Sequence, residues 1–330
     1  MKLDKTVHQH RALLTLNQIL KGLASKRLVA DQLVFREISA NIFDFLSQLN
    51  SSYMNTTLTS TNTNDLLNAL EMCMLITKIL RKLLVFGGMK NYEATSTQIE
   101  YLRLCLQSVP SLLLLRGKCA EETSCRETCE KLVTLLMKVL TEMQDRNPLS
   151  FVPVLEDTVK LCLERILSET GRCEFTSFVI YCGNLARAII RSYNPKTAPN
   201  DERSQGLTKT AIDIKNSIFT EDCVRGLCQH LIANYFPLTE TDVEEWSTDP
   251  EGYMLEEAGE SHKFLLRPCV ESLFSSFFYE FKTVVNPFTI NLAKQVLSKI
   301  FHCVCFLMMN KHEINMQEIF RKTLAGKWDY

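Results

Sequence analysis

Apolar residues recur along this chain at steps of three and four, with little strand-like alternation, which is the spacing that lines one face of an α-helix. Leu13, Leu16, Ile19, Leu20 and Leu23 form one stripe. Leu33, Val34, Ile38, Ile42, Phe45 and Leu49 form a second. The short basic run 24–29 leaves room only for a tight turn between them, so the two stripes predict an antiparallel helical hairpin. The pattern then repeats: 64–86 pairs with 97–115, 123–143 with 149–167, 174–192 with 209–235, and 262–284 with 288–309. The pair-to-pair spacing is near, or somewhat above, the roughly 40–47 residues of HEAT and armadillo units. The expected fold is all-α: one HEAT/armadillo-like right-handed α-solenoid of antiparallel helical pairs over residues 1–330, with an insert at 239–260.

Two of the later helices begin with the same chemistry. Asn147-Pro148 and Asn286-Pro287 each put Asn at a plausible N-cap and Pro at the first helical position. There Asn accepts an orphan backbone N–H, and Pro has none to leave unpaired. The stretches 51–63, 87–96, 117–122 and 194–207 are rich in Ser, Thr, Asn, Gly or Pro and predict loops, with Gly87-Gly88 as a helix C-cap.

With 46% hydrophobic and 23% charged residues, the chain carries enough apolar side chains for a large core. An elongated array also escapes the roughly 250–300-residue limit on a single core, because each repeat packs only on its neighbours. A solenoid segment lacking polar end repeats would expose apolar helix faces, so the isolated chain is expected to be aggregation-prone.

The formal net charge of -1 hides an asymmetry. Residues 239–260 carry nine carboxylates (Glu240, Asp242, Glu244, Glu245, Asp249, Glu251, Glu256, Glu257, Glu260) and no Lys or Arg. The rest holds 37 basic residues against 29 acidic ones (38 less those nine), a net of +8. Nine like charges in one segment point to a basic partner. Within it, Thr239 predicts an N-cap with Asp242 reaching back, a short helix through Trp246, and a turn at Asp249-Pro250-Glu251-Gly252. Trp246 and Tyr253 are expected to pin the insert while its carboxylates stay in water. The partner-binding set is then Asp242, Glu244, Glu245, Trp246, Asp249, Glu251, Glu256 and Glu257.

Other chemistry finds little support. Cys119, Cys125 and Cys129 lack a fourth ligand and the paired C-x2–4-C spacing of a structural zinc site. Most of the 13 cysteines sit at apolar helical positions, Cys303 and Cys305 among them, and read as small buried hydrophobes in a reducing compartment. No P-loop, G-x-G-x-x-G, G-x-S-x-G or HExxH pattern occurs, so neither an enzyme nor a cofactor is expected. The basic pairs Lys26-Arg27 and Arg81-Lys82 have no interleaved aromatics, which argues against nucleic acid as a partner. The most apolar stretch, 300–309, is half the length of about 20 residues that membrane insertion needs.

The run "FPLTETDVEEWSTDPEGYMLEEAG", followed by "LRPCVESLF", resembles the acidic Trp and Asp-Pro-Glu stretch of the importin-β (karyopherin) superfamily. "QHRALLTLNQILKGLASKRLVAD" (9–31) resembles the same family, upstream and in the expected order. The likeness runs from about residue 8 to about 285 and leaves 286–330 outside it. It implies a nuclear transport receptor of cytoplasm and nucleus, a HEAT-repeat superhelix that carries protein cargo past nuclear pore proteins under control of Ran in its GTP-bound form. The family's principal Ran-binding region lies ahead of the run at Gln9, so an internal segment of such a receptor is expected. A generic helical-repeat scaffold without transport activity is the alternative.

Overall fold

A computed structural model describes residues 2–26, 28–87, 94–119, 121–168, 174–192 and 201–309. Thirteen α-helices and one 3-10 turn occur among these residues, with no strand. They fall into two compact units, 1–162 with 192–214, and 163–191 with 215–330, the division passing through two of the helices.

The first unit begins with α1 (Lys2–Ala24), α2 (Val29–Thr59), α3 (Thr63–Phe86), α4 (Ser96–Lys118) and α5 (Thr123–Arg146), followed by α6 (Pro148–Ser168) as far as residue 162 and the first part of α8 (Glu202–Ile218). Helix α3 is its centre: α1, α2 and α5 all pack on it. Leu70, Cys73, Ile76, Ile79, Leu80 and Leu83 are accordingly fully buried, while Glu71 and Lys78 keep a narrow polar strip of the helix exposed. At its start Asn62 accepts from the backbone N–H of Asn64 and Asp65 (2.8 and 3.3 Å), and α4 opens with a full capping box between Thr95 and Gln98. Phe43 of α2 meets Tyr101 of α4 edge-on at 5.8 Å.

Several expectations from the pattern are corrected. The loop expected at 51–63 is helical to Thr59, because the hydroxyls of Ser51, Thr56, Thr57 and Thr59 each donate to the carbonyl four residues back and need no competing turn. The buried face of α2 is also rotated from the predicted stripe: Phe35, Ser39, Phe43, Leu46 and Asn50 point inward, while Leu33, Val34 and Phe45 are exposed. Small hydroxyl residues inside that face let the neighbouring helix come close. Ser39 donates to Leu83 O (3.0 Å) beside Gly87, which caps α3 with φ -64. Gly87 is thus needed for closeness rather than for a left-handed backbone, since an added Cβ would sit 2.6 Å from Ser39 Oγ and 2.2 Å from Leu83 O. With Ile19, Leu14, Leu28 and Val29 also exposed, α1 and α2 carry an apolar outer surface.

The second unit comprises the end of α6, α7 (Thr176–Arg191), the end of α8, α9 (Glu221–Tyr235), α10 (Glu240–Thr248), α11 (Pro250–Glu257), the 3-10 turn Ser261–Lys263, α12 (Leu266–Glu280) and α13 (Lys282–Met309). Helix α12 packs on α7 and α9, and α13 on α9. The single helix expected over 209–235 is two. The break falls at Phe219, whose ring is buried against Phe277 (5.7 Å) and Phe281 (5.9 Å), and Thr220 caps the restart by accepting from Cys223 N. The predicted loop 194–207 is likewise helical from Glu202.

Of the two Asn-Pro starts, Pro148 does open α6, with the Asn147 amide lying near Met143 Sδ (3.9 Å). Pro287 lies inside α13, which begins five residues earlier because the N–H groups of Val284 and Val285 both reach Phe281 O. Arg27, residues 88–93 and 194–200, the side chains of Cys303 and Cys305 and the tail 310–330 lie outside the described residues.

Lys215 is the one lysine among the described buried polar residues of the second unit, 4% exposed, and it donates to Ile190 O (3.0 Å) in the last turn of α7. Burial pushes its ammonium from 10.5 down to about 8, with Glu280 opposing. Between those two values the unfolded chain holds a proton that the folded chain has released, so stability rises with pH across that window.

Two tests follow from this packing. Replacing Gly87 by Ala is expected to destabilise the first unit by about 1–3 kcal/mol through overpacking, read as a lower urea midpoint. Lys215→Met is expected to be more stable than the parent below pH 8, with the gap narrowing toward pH 10 in the same denaturation assay.

Candidate functional site

The acidic segment opens with a capping box: Thr239 Oγ1 accepts from Asp242 N (3.1 Å), and Asp242 Oδ2 accepts from Thr239 N (2.6 Å). Asp is one carbon shorter than the usual Glu of this motif, and here it still reaches back. Helix α10 continues two residues past Trp246. The predicted turn at Asp249-Pro250-Glu251-Gly252 is instead the start of α11. Asp249 ends α10 through its N–H to Glu245 O (2.9 Å) and caps α11 by accepting from Gly252 N (2.9 Å), with Pro250 at the first helical position. A Cβ at residue 252 would lie 2.3 Å from the Asp249 carboxylate, which explains the glycine. Gly259, at φ 69, then supplies the left-handed residue that turns the chain toward the 3-10 turn.

Neither α10 nor α11 has a buried residue. What ties them to the unit is Arg267, near the N-terminus of α12. Its Nη2 donates to Asp242 Oδ1 (3.0 Å) on α10 and to Glu257 Oε1 (2.6 Å) on α11, and its Nε donates to the same Glu257 oxygen (3.1 Å). Nη2 also contacts the Tyr253 hydroxyl, and the guanidinium lies 5.6 Å from the Tyr253 ring centroid. The side chain is 11% exposed. Burial opposes its charge, yet Asp242, Glu257 and Tyr253 outweigh that cost and its pKa is raised. The Tyr253 hydroxyl is pushed up to about 12, chiefly by burial.

Arg267 itself is fixed from behind. Helix α12 approaches α7 so closely that a Cβ on Gly183 would stand 2.8 Å from Cys269 Sγ, and that thiol donates to Ile180 O (3.4 Å). Asn184 donates to His262 O (2.8 Å), holding the 3-10 turn against α7.

The eight residues singled out from the sequence therefore divide. Asp242 and Glu257 do not stand free in water: both are spent on Arg267. Asp249 caps a helix while remaining exposed. Glu244, Glu245, Glu251 and Glu256 are exposed. Trp246 is 45% exposed and is no anchor, so only Tyr253 of the two expected aromatic pins is engaged. Glu245 and Glu256 join Asp242, Glu257 and Arg267 around an open cleft of about 210 Å³. Arg267 itself received no role from the sequence, although it is the first arginine after a 22-residue segment without any Lys or Arg, itself a signal.

Among the described residues no group of three His, Cys, Asp or Glu is placed to hold a metal ion. Cys129 donates to Leu112 O (3.1 Å), and burial pushes its thiol up to about 12, the reverse of what a reactive or ligating cysteine needs. No described helix is long and apolar enough to cross a membrane.

No family model matches the chain. Curated relatives do. Importin-11 of Mus musculus and of Homo sapiens are each 33% identical over 292 residues, covering 87% of this chain and 30% of theirs. The chain is homologous to importin-11 and to other importin-β-like proteins. Among these, importin beta-like protein kap113 of Schizosaccharomyces pombe is 24% identical over 320 residues, covering 89% of this chain and 31% of its own. The solved structure of Lph2, a bidirectional nuclear transport receptor of S. cerevisiae, superposes with a TM-score of 0.69 at 18% identity, over 86% of this chain and 28% of that one. The importin-β-like fold is thus a HEAT-like α-solenoid of helical pairs, and the chain spans about 30% of the length of its curated relatives.

The clasp makes a defined prediction. Arg267→Ala leaves two carboxylates facing each other without a cation and is expected to cost about 1.5–3 kcal/mol locally. Hydrogen exchange should show amides of 240–257 opening about tenfold or more faster, with the core helices unchanged. Arg267→Lys should restore only part of the protection, because an ammonium lacks the planar fork.

Proposed function

We propose that this chain is part of a nuclear transport receptor that binds protein cargo by reversible surface contact and does no covalent chemistry. The observation that carries the reading is the homology to importin-11 across 87% of the chain. In the whole receptor, Ran in its GTP-bound form would control loading and release, nuclear pore proteins would be touched in transit, and the protein would shuttle between cytoplasm and nucleus. The acidic insert is the partner-facing surface of this segment. Its outward carboxylates Glu244, Glu245, Asp249, Glu251 and Glu256, with Trp246 beside them, face solvent, while Asp242 and Glu257 set its orientation through Arg267.

Held rigidly, those charges attract a basic protein and steer its approach, and salt screens them within about 8–10 Å. The variant Glu244→Gln, Glu245→Gln, Asp249→Asn, Glu251→Gln removes four charges while Asn keeps the cap of α11. At roughly 0.5 kcal/mol for each exposed pair, affinity for a basic partner is expected to fall about thirtyfold. Titration at two salt concentrations is the measurement, and an unchanged affinity would exclude the insert as the contact. Release of a bound partner by Ran locked in its GTP form, but not in its GDP form, supports a receptor. Retention regardless of nucleotide supports a scaffold without transport activity.

A further inference from the structure

The basic pair Arg81-Lys82 lies in the first unit, where α3 packs between α1 and α5. Thr63 at the start of α3 donates to Glu122 beside the start of α5 (2.9 Å), and Arg81 late in α3 donates to Glu142 late in α5 (2.5 Å). The two helices therefore run side by side in the same direction. On the other flank Lys82 donates to Asn17 of α1. One turn before Arg81 and Glu142 stand Lys78 and Lys138, both exposed and so neighbours across α3 and α5. One turn after Asn17 stands Lys21, also exposed. Lys21, Lys82, Lys78 and Lys138 thus form a strip that crosses three helices.

Elsewhere in this unit basic side chains meet carboxylates: Lys131 and Glu127 at 3.1 Å, Lys160 and Glu156 at 2.7 Å, Arg116 and Glu130 at 2.6 Å. In the strip they do not. Among the described residues no carboxylate pairs with Lys21, Lys78, Lys82 or Lys138, and Glu142 is already engaged by Arg81. The Lys82 ammonium is held below its usual value, by burial first and then by Arg81, Lys21 and Lys78. The fold holds like charges together here at a cost that an incoming anion would relieve.

We propose that this strip docks an acidic segment of a partner protein, laid across α1, α3 and α5 with its Asp and Glu side chains over the four lysines. The strip belongs to the first unit and the acidic insert to the second, and the proposal does not depend on the insert. Chemistry selects the occupant. Lysine is a compact point charge that suits separate carboxylates, whereas the planar fork that grips a phosphate belongs to Arg81, and Glu142 engages it. Single-stranded nucleic acid would look for aromatic rings on which to stack its bases. Helices α1, α3 and α5 contain one aromatic residue, Phe86, and the Arg146 guanidinium covers it at 4.5 Å from the ring centroid. Spacing agrees as well. Alternate side chains of an extended segment fall about 6–7 Å apart, and residues one helical turn apart, such as Lys78 and Lys82, about 5–6 Å.

The test titrates two fluorescent peptides into the full chain by anisotropy, one with Glu at every second position and a twin with Gln there, alongside a single-stranded RNA oligonucleotide of equal charge. The Glu peptide is expected to bind most tightly of the three, and less tightly as salt rises. Lys78→Gln with Lys138→Gln is expected to weaken it about fivefold, equivalent to ~1 kcal/mol. Lys131→Gln with Lys160→Gln removes the same charge from lysines that are already paired, and should leave the affinity nearly unchanged. All four side chains are exposed, so both variants should keep the parent circular dichroism spectrum. Absence of Glu-peptide binding, equal losses in the two variants, or no loss in either overturns the strip as the contact. RNA bound as tightly as the Glu peptide, and weakened by the same variant, overturns protein as the occupant and assigns nucleic acid instead. Each of these failures leaves the basic-partner reading of the insert untouched, because a surface of carboxylates repels an acidic peptide.

Discussion

Helices cut from their neighbours are marginal in water, because nucleation is costly and most helical stability in proteins comes from a packed apolar face. Every long helix described here depends on that constraint. In the first unit α3 satisfies it for three partners at once, with Leu70, Cys73, Ile76, Leu80 and Leu83 fully enclosed. In the second unit the rings of Phe219, Phe277 and Phe281 do the same for the ends of α8 and α12. Buried hydroxyls and thiols such as Ser39 and Cys269 act within this constraint by letting backbones approach, each bonded to a carbonyl of the helix it meets.

Helices α10 and α11 escape the constraint and are held by different physics. With no buried residue between them, their position is set by one guanidinium that two carboxylates and a phenol share. The half-buried setting strengthens those bonds beyond what exposed ion pairs supply, and the planar fork of arginine fixes direction as well as distance. Spending Asp242 and Glu257 inward also sorts the charge of the segment. The carboxylates that remain outside are neither uniformly spread nor randomly oriented, but carried on two short capped helices with a defined outer side.

The helical class and the helix boundaries at residues 24, 86 and 123 were legible from apolar spacing, as was the Thr239–Asp242 box, because each is a local rule. Misreadings arose where a local rule had two solutions. The Ser- and Thr-rich run 51–59 suits a loop or a helix equally until its hydroxyls are seen bonding back along α2. Asp249-Pro250 suits a turn or a helix start, and the cap on Gly252 decides it. The rotated face of α2 has the same origin, since Leu33 and Val34 satisfy helical periodicity as well as Phe35 and Phe43 do, and only the partner helix chooses. Arg267 was missed for a different reason: the stretch without Lys or Arg marks it, but its partners lie 10 to 25 residues upstream, on elements whose approach depends on α7 and α12 packing first.

The same sorting bears on what the insert is able to recognise. Electrostatic attraction acts at range and hastens encounter, but at physiological salt it is screened within about 8 Å and discriminates poorly among basic surfaces. Apolar contact is short-ranged and little affected by salt, so it governs how long a complex lasts once formed. A surface that carries only the first property exchanges partners quickly and indiscriminately; one that carries only the second invites aggregation. Met254 and Leu255 stand exposed beside Glu251 on α11, which the clasp at Arg267 holds by its other side. Such a combination suits a contact that must form selectively and still come apart.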